Sequence, residues 1–85
     1  VLIDVSEVRE FERWHIREAR NLPLPKLAHE ELDLPRDRPL VLISRIGRRS
    51  DLALRVLLGH GYENASNMKG GMLAWEAAGY PIAVE

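Results

Sequence analysis

The sequence predicts an α/β fold of three layers, in which a central parallel sheet carries helices on both of its faces. Leu40–Ile43 is an unbroken apolar run, as expected of a strand that is buried on both faces of a parallel sheet. Apolar residues recur at helical spacing over residues 52–58, and Gly59 and Gly61 follow as the expected end of that helix. Strand-like and helix-like segments alternate along the chain, which favours parallel pairing through right-handed crossovers.

The first strand and the first helix follow this alternation. Residues 1–3 predict a buried strand that ends at Asp4-Val5, and Ser6 is the expected N-cap of the next helix. Glu7 and Glu10 suit the first turn of this helix, because the positive end of its dipole favours acidic side chains. The apolar residues expected on its buried face are Val8, Phe11 and Trp14.

The remaining elements are predicted to be short. Residues 19–22 indicate a very short strand, and residues 26–32 indicate one or two turns of helix after two prolines that force an extended backbone. Residues 65–68 indicate a weak strand, and the glycine pair 70–71 starts a last helix over residues 72–78. The chain therefore offers four strands to one sheet.

Composition limits the classes of function. The chain has 85 residues, which predicts one domain over residues 1–85, and its formal net charge of -1 gives no general attraction to nucleic acid or to an anionic membrane. No apolar run reaches the ~20 residues of a membrane-spanning helix, and no targeting segment is visible. We therefore expect a cytoplasmic domain with no nucleic-acid or membrane partner. Because the sequence does not begin with Met, we also expect it to be a fragment or a processed product of a longer chain.

The sequence predicts no metal site and no cofactor. It contains no cysteine, which excludes disulfides and cysteine-based metal sites. Its three histidines, at positions 15, 29 and 60, lie far apart in the sequence and lack the spacing of a zinc site. The glycine patterns of nucleotide-binding loops are also missing.

The segment between the central strand and its helix is the candidate functional loop. In open α/β sheets, ligands bind where a strand leads into a helix, because free backbone N–H groups and the helix dipole attract an anion there. Ser44 stands where a nucleophile would stand, and Ser50 is the expected N-cap of the helix. The loop consists of Ser44, Arg45, Ile46, Gly47, Arg48 and Arg49.

Several groups of residues, spread in order over nearly the whole chain, match one known family. They are Leu2-Ile3-Asp4-Val5, His15-Ile16 with Ala19 and Asn21, Gly47-Arg48-Arg49-Ser50, Lys69-Gly70-Gly71 with Trp75, and Gly79-Tyr80-Pro81. In order and spacing, the chain resembles the rhodanese (sulfurtransferase) homology domain. The resemblance implies a five-stranded parallel sheet with helices on both faces, and transfer of sulfane sulfur through a cysteine persulfide.

The chain departs from the family pattern in three places. Ser44 occupies the position of the family's cysteine. Ser6 replaces the usual arginine after the Asp-Val pair, and Trp14 replaces the glycine before the His-Ile pair. The strand and helix that normally precede the first strand are missing, so we expect four strands rather than five. We expect their loss to leave an apolar surface for an adjacent domain or a protein partner.

The exchange of cysteine for Ser44 decides the expected activity. In the family, loop amides, the helix terminus and arginines stabilise a thiolate, which takes sulfur from a thiosulfate-type donor and passes it to a thiol or cyanide acceptor. A serine hydroxyl ionises far less readily, and oxygen cannot form the stable sulfur–sulfur bond that carries the transferred atom. We therefore expect the chain to be inactive as written.

Three functions stay open. A sulfurtransferase whose nucleophile has been exchanged is slightly favoured, because the loop keeps its glycine, its arginines and Ser50. A naturally non-catalytic binding or regulatory module is the alternative. A serine hydrolase would need His15 within hydrogen-bonding reach of Ser44. A phosphatase is disfavoured, since phosphatase relatives place an arginine six positions after the cysteine, whereas Arg49 comes five positions after Ser44.

Individual side chains near the loop have alternative roles. Arg49 is expected to contact the substrate, whereas substrate contact and plain solvent exposure are equally expected for Arg45 and Arg48. Asp4 ends a strand at the same edge of the sheet, where it either orients the loop arginines or accepts a hydrogen bond from the following turn. Structural anchoring is the favoured role for Asp4, and His15 is expected to be structural.

Overall fold

A four-stranded parallel sheet forms the centre of the computed structural model, which describes residues 1–29 and 33–84. Within the described residues, the elements are β1 (Leu2–Asp4), α1 (Val8–Arg13), β2 (Trp14–His15), β3 (Arg20–Asn21), α2 (Leu24–His29), β4 (Leu40–Ile43), α3 (Arg48–Gly59), β5 (Ala65–Asn67), α4 (Gly71–Ala77) and β6 (Ala83–Val84).

The strands of the central sheet follow the order β3-β1-β4-β5, and every neighbouring pair is parallel. The register joins Ile3 to Leu42 and Leu42 to Asn67, so the C-terminal ends of these strands lie at one edge. The predicted central strand and the predicted four-stranded parallel sheet are both confirmed. The candidate loop therefore leaves the sheet from an interior strand.

Helices cover both faces of the sheet, as predicted. Successive residues of a strand point to opposite faces, and Leu42 and Ile43 accordingly belong to two different core clusters. The first cluster packs under α2 and α3, and it includes Ile3, Leu27, Leu40, Ala53 and Leu57. The second packs under α1 and α4, and it includes Ile16, Met72, Phe11 and Trp75.

The first helix begins differently from the prediction. Glu7, not Ser6, is the N-cap, and it forms a capping box with Glu10. The Ser6 carbonyl, which in an N-cap would accept the first helical hydrogen bond, instead accepts from Asn21 Nδ2 at 3.0 Å. The buried face was also predicted wrongly at Val8, whose side chain is 52% exposed.

The start of α3 corrects the prediction that Ser50 is its N-cap. The helix begins at Arg48, and Gly47 is the N-cap with a left-handed φ of 94°. The Asp51 N–H donates to the Gly47 carbonyl, which places Ser50 inside the first turn. Ser50 is fully buried there, and its hydroxyl bonds to side chains outside the helix.

The smaller elements agree only in part with the prediction. The strands expected over 19–22 and 65–68 are present as β3 and β5, and the last helix is present as α4. Trp14 is not helical; it pairs with Val84 in a two-stranded antiparallel ribbon, β2-β6, that the sequence did not indicate. α2 begins earlier than predicted, and residues 30–32 of the predicted helix lie outside the described residues. None of the helices that the structure describes is long and apolar enough to cross a membrane.

Candidate active site

The loop after β4 borders an open cavity of about 430 Å³, here called the loop cavity. Its walls include the loop itself and one residue of α1, so the sheet edge and the first helix both shape it. The lining residues are Glu10, Ser44, Arg45, Ile46, Arg48 and Arg49. Five of the six predicted loop residues therefore line one cavity, and Gly47 supplies the left-handed turn between them.

Ser44 lies at the floor of this cavity with only 3% of its surface exposed. Its Oγ accepts hydrogen bonds from the backbone N–H groups of Gly47 at 3.1 Å and Ser50 at 3.2 Å. The Ser50 hydroxyl is a third neighbour at 2.9 Å. One amide of the loop and one of the first turn of α3 thus converge on the side-chain atom of residue 44, which is where the sequence expected an anion or a thiolate.

Asn67, at the end of β5, ties the loop to the neighbouring strand. Its Nδ2 donates to the Gly47 carbonyl at 3.0 Å, and its Oδ1 accepts from the Ser50 hydroxyl at 2.5 Å. Among the described residues, no buried side-chain nitrogen or oxygen lacks a hydrogen-bond partner. The buried side-chain hydroxyls and amide of this site are therefore all hydrogen-bonded.

The start of α4 holds the outside of the same loop. The backbone N–H of Met72 donates to the Ser44 carbonyl at 2.8 Å, and that of Leu73 donates to the Arg45 carbonyl at 3.0 Å. Gly71 makes this approach possible, since a Cβ there would overlap the Ser44 carbonyl oxygen. These N–H groups belong to the first turn of α4, which has no earlier turn to bond to.

Arg49 pairs with Glu10 of α1 at 2.5 Å, across a mouth that both residues line. The hydrogen bond from Arg49 lowers the pKa of Glu10, and the same bond raises the pKa of Arg49. Both side chains are partly exposed, so solvent screens the pair and its contribution to stability is small. Arg49 thus brings a positive charge to the loop cavity, but one of its N–H donors is already bonded to Glu10.

Arg45 lines both the loop cavity and a second depression, here called the side cleft. The Arg45 guanidinium lies 5.8 Å from the centre of the Trp14 ring, within range of a cation–π contact. The side cleft measures about 540 Å³ and shares Glu10 and Arg45 with the loop cavity. Its lining is Ser6, Glu10, Arg13, Trp14, Arg45, Met72, Leu73 and Glu76.

Asp4 and His15 both make structural contacts. Asp4 is buried, and its Oδ1 accepts the Ser6 N–H at 2.9 Å, which is one of the two roles considered for it. Burial raises the pKa of Asp4, partly offset by the hydrogen bonds from Ser6. His15 stacks on Phe11 at 3.9 Å and its Nδ1 contacts the Phe11 carbonyl. Neither contact reaches Ser44.

Sequence reasoning missed two residues that contact the loop. Glu10 was assigned only to the first turn of its helix, and Asn67 only to a weak strand. Glu10 is 39 positions from Arg49 and Asn67 is 17 positions from Ser50, so no local pattern signals either contact. Within the described ranges, no group of three or more His, Cys, Asp or Glu side chains is placed to hold a metal ion.

Known proteins of similar sequence span this whole region. The chain is 38% identical over 81 residues to the protein slr1261 of Synechocystis sp., covering 95% of this chain but 45% of that protein. It is 33% identical over 82 residues to a sulfurtransferase of Allochromatium vinosum, covering 96% and 77% of the two chains. It is 30% identical over 78 residues to the thiosulfate sulfurtransferase GlpE of Pseudoalteromonas translucida, covering 92% and 74%.

The fold is also that of a solved structure. The crystal structure of a rhodanese-related protein from Thermoplasma volcanium superposes with a TM-score of 0.88 at 29% identity, covering 100% of this chain and 84% of that one. The family profile described as the rhodanese-like domain matches residues 1–78. The chain therefore belongs to the rhodanese-like domain family.

Proposed function

We propose that this chain is a rhodanese-type sulfurtransferase domain, spanning residues 1–85, in which Ser44 stands at the position of the nucleophile. One observation carries the proposal: two backbone N–H groups converge on the side-chain atom of residue 44, at the floor of a cavity lined by arginines. Amides and guanidinium groups around one atom favour a negative charge there, and so lower the pKa of a thiol.

With cysteine at position 44, the proposed cycle has two displacement steps. The thiolate attacks the outer sulfur of a thiosulfate-type donor, a new sulfur–sulfur bond forms, and sulfite leaves with the electron pair of the broken bond. A thiol or cyanide acceptor then attacks the outer sulfur of the persulfide and regenerates the thiolate. No external oxidant or reductant is consumed.

The loop residues divide the work in this proposal. Arg49 contacts the donor anion, Arg45 and Arg48 add positive potential, and the loop backbone through Ile46 and Gly47 sets the size of the cavity. Ser50 and Asp4 support the site: Ser50 from inside α3, and Asp4 by fixing the turn that leads to α1. Neither touches the substrate.

As the chain stands, Ser44 blocks both steps. A serine hydroxyl needs a base to lose its proton, and the described contacts of the His15 ring are with Phe11 rather than with Ser44. This also weighs against a serine hydrolase. Oxygen, in addition, cannot carry the sulfur atom as a stable persulfide equivalent.

A non-catalytic binding or regulatory module is the second candidate. It is favoured by the full hydrogen bonding of the Ser44 side chain, whose Oγ is almost completely buried and has three partners. A hydroxyl held in this way acts as a structural tie of the loop. In this case the loop cavity and side cleft would serve a protein partner or an adjacent domain.

The Ser44→Cys variant decides between the two candidates. We expect the rate of thiosulfate:cyanide sulfur transfer to rise at least about 100-fold above that of the wild-type chain and of the Ser44→Ala control. Removal of the nucleophile from an enzyme commonly lowers its activity by more than this factor. Mass spectrometry should show one added sulfur atom after treatment with thiosulfate. A folded variant that alkylates readily but neither binds nor transfers sulfur would contradict the sulfurtransferase proposal and favour the binding module.

A further inference from the structure

We propose that Asn67 is a positioning residue that acts through Ser50 to hold residue 44 in its protonated form. The inference rests on the proposed role of the loop but concerns a different property, namely which proton arrangement the loop stabilises. It is carried by a chain of three side chains, Asn67, Ser50 and Ser44, in which each donor and acceptor can be assigned.

The orientation of the Asn67 amide is fixed at one end of the chain. The Gly47 carbonyl can only accept a hydrogen bond, so the Asn67 atom that lies 3.0 Å from it must be the NH₂ group. The other amide atom, Oδ1, therefore faces the Ser50 hydroxyl. Because Oδ1 can only accept, Ser50 must donate its single proton to Asn67.

This assignment decides the contact between the two serines. Ser50 has no second proton, so at its 2.9 Å contact with Ser44 it presents a lone pair. Ser44 must then be the donor. Its own lone pairs accept the N–H groups of Gly47 and Ser50, so its one donor and two acceptor sites are all used. The arrangement is complete only when residue 44 keeps its proton.

Ionisation of residue 44 disturbs this arrangement at a defined place. The Ser50 hydroxyl would have to rotate away from Asn67 to donate to the new anion, which leaves Asn67 Oδ1 without its partner. The backbone N–H groups of Gly47 and Ser50 favour the anion, whereas Asn67 opposes it by competing for the Ser50 hydroxyl proton. Asn67 thus raises the pKa of a nucleophile at position 44.

Charged groups around residue 44 do not change when Asn67 is replaced. The loop contributes Arg45, Arg48 and Arg49, α1 contributes Glu10, and β1 contributes the buried Asp4. From α4, the described contacts with the loop are backbone N–H groups. Since Asn67 is neutral, its replacement by another neutral residue tests the hydrogen-bond competition alone.

The test measures the thiol pKa in the Ser44→Cys protein, from the pH dependence of its alkylation by iodoacetamide. Adding Asn67→Ala should lower this pKa by about one unit, because Ser50 becomes free to donate to the thiolate. In a protein that also carries Ser50→Ala, Asn67→Ala should leave the pKa unchanged, because Asn67 acts through Ser50. Asn64→Ala is the matched control: the Asn64 side chain donates to the Arg36 carbonyl rather than to the loop, and its loss should leave the pKa unchanged.

A purely structural role for Asn67 predicts that Asn67→Ala raises the thiol pKa instead of lowering it. If Asn67 only held the Gly47 carbonyl, its loss would spread the loop amides and raise the thiol pKa, which would overturn the inference. Should Asn67→Ala fail to fold, the wild-type protein supplies a second test by NMR or neutron diffraction. The Ser44 hydroxyl proton must point to Ser50 Oγ, and any other direction overturns the inference.

The outcome is separable from that of the proposed function. If Asn67→Ala lowers the thiol pKa of the Ser44→Cys protein but that protein transfers no sulfur, the sulfurtransferase proposal is contradicted and the role of Asn67 is supported. If the Ser44→Cys protein transfers sulfur but Asn67→Ala raises its thiol pKa, only the role of Asn67 is contradicted.

Discussion

The backbone of Gly71 lies directly against the carbonyl oxygen of Ser44, closer than any side chain would allow. A Cβ on Gly71 would overlap that oxygen and would lie 2.7 Å from the Arg45 carbonyl oxygen. Gly71 also has a φ of 56°, in the left-handed region. The loop and the first turn of α4 can meet only because this position has no side chain.

Replacement of Gly71 should therefore be among the most damaging single changes in the chain. Gly71→Ala is expected to lower the free energy of unfolding by about 2–5 kcal/mol, through backbone strain and overlap together. Gly79→Ala, with φ 81° and no atom within 4 Å, should cost only about 1–2 kcal/mol. Gly59→Ala has neither problem and should be neutral or stabilising by up to about 1 kcal/mol. Urea titration checks this order, and equal costs at the first two positions would contradict the overlap.

Asp4 should give the protein an unusual dependence on pH. Burial raises the pKa of Asp4 in the folded state above 3.8, so the folded chain binds its proton more tightly than the unfolded chain does. The contribution of Asp4 to the free energy of unfolding must then fall as pH rises from 3.8 through the raised pKa. Asp4→Asn keeps an acceptor for the Ser6 N–H but removes the titration, so it should be at least as stable as wild type at pH 7.

The comparison with wild type isolates this effect from other acids. The contribution of Glu10 to stability changes with pH in the opposite direction. The pKa of Glu10 is lowered in the folded chain, so its contribution is lost as pH falls below 4.5. Both proteins contain Glu10, and its contribution cancels in their difference. Compared with Asp4→Asn, Asp4→Ala should lose about 1–3 kcal/mol at every pH, since the Ser6 N–H is left without its acceptor. A wild-type minus Asp4→Asn difference that does not vary with pH would contradict the assignment.

Glu10 should weaken the binding of anions at the loop cavity, because its carboxylate occupies one donor of Arg49. Glu10→Gln keeps the acceptor needed by the capping box and removes the charge. We expect it to tighten thiosulfate binding to the wild-type chain roughly 1.5- to 5-fold, the range of an exposed ion pair of ~0.2–1 kcal/mol. Calorimetry measures the dissociation constant, and Glu12→Gln on the exposed side of the same helix is the control. Weaker binding by Glu10→Gln would mean that the carboxylate aims Arg49 at the anion instead.

The two adjacent leucines of α3 test the assignment of the core. Leu57 is completely buried under the sheet, whereas Leu58 is 50% exposed. Leu57→Ala is expected to cost about 2–5 kcal/mol of unfolding free energy. Leu58→Ala should change it by no more than about 0.5 kcal/mol. Equal losses at the two positions would show that α3 is rotated relative to the sheet.

Long local patterns in the sequence predicted the framework correctly. The apolar run at Leu40–Ile43 and the helical spacing after it depend on neighbours in the chain, so the central strand and α3 could be identified without coordinates. The same strand-to-helix pattern identified the loop and Ser44, and the family resemblance added that Ser44 stands at the family's cysteine position. Four parallel strands followed from the alternation of elements and from the order of the matched motifs.

Features decided by distant contacts could not be predicted. Ser50 has the residue type of an N-cap, but its hydroxyl is taken by Asn67 from another strand, and Gly47 starts the helix through its backbone conformation. The β2-β6 ribbon pairs two residues with two others near the opposite end of the chain, which is too short for a periodic signal. Glu10 reached the loop only through the packing of α1 against the sheet.

The bonds from Met72 and Leu73 to the carbonyls of Ser44 and Arg45 have a consequence for biosynthesis. The first two carbonyl groups of the loop are held by residues that leave the ribosome almost thirty positions later. A nascent chain that ends before α4 has its nucleophile position but lacks the hydrogen bonds that shape it. A member of this fold with cysteine at position 44 therefore completes its active-site loop only after the last helix has docked.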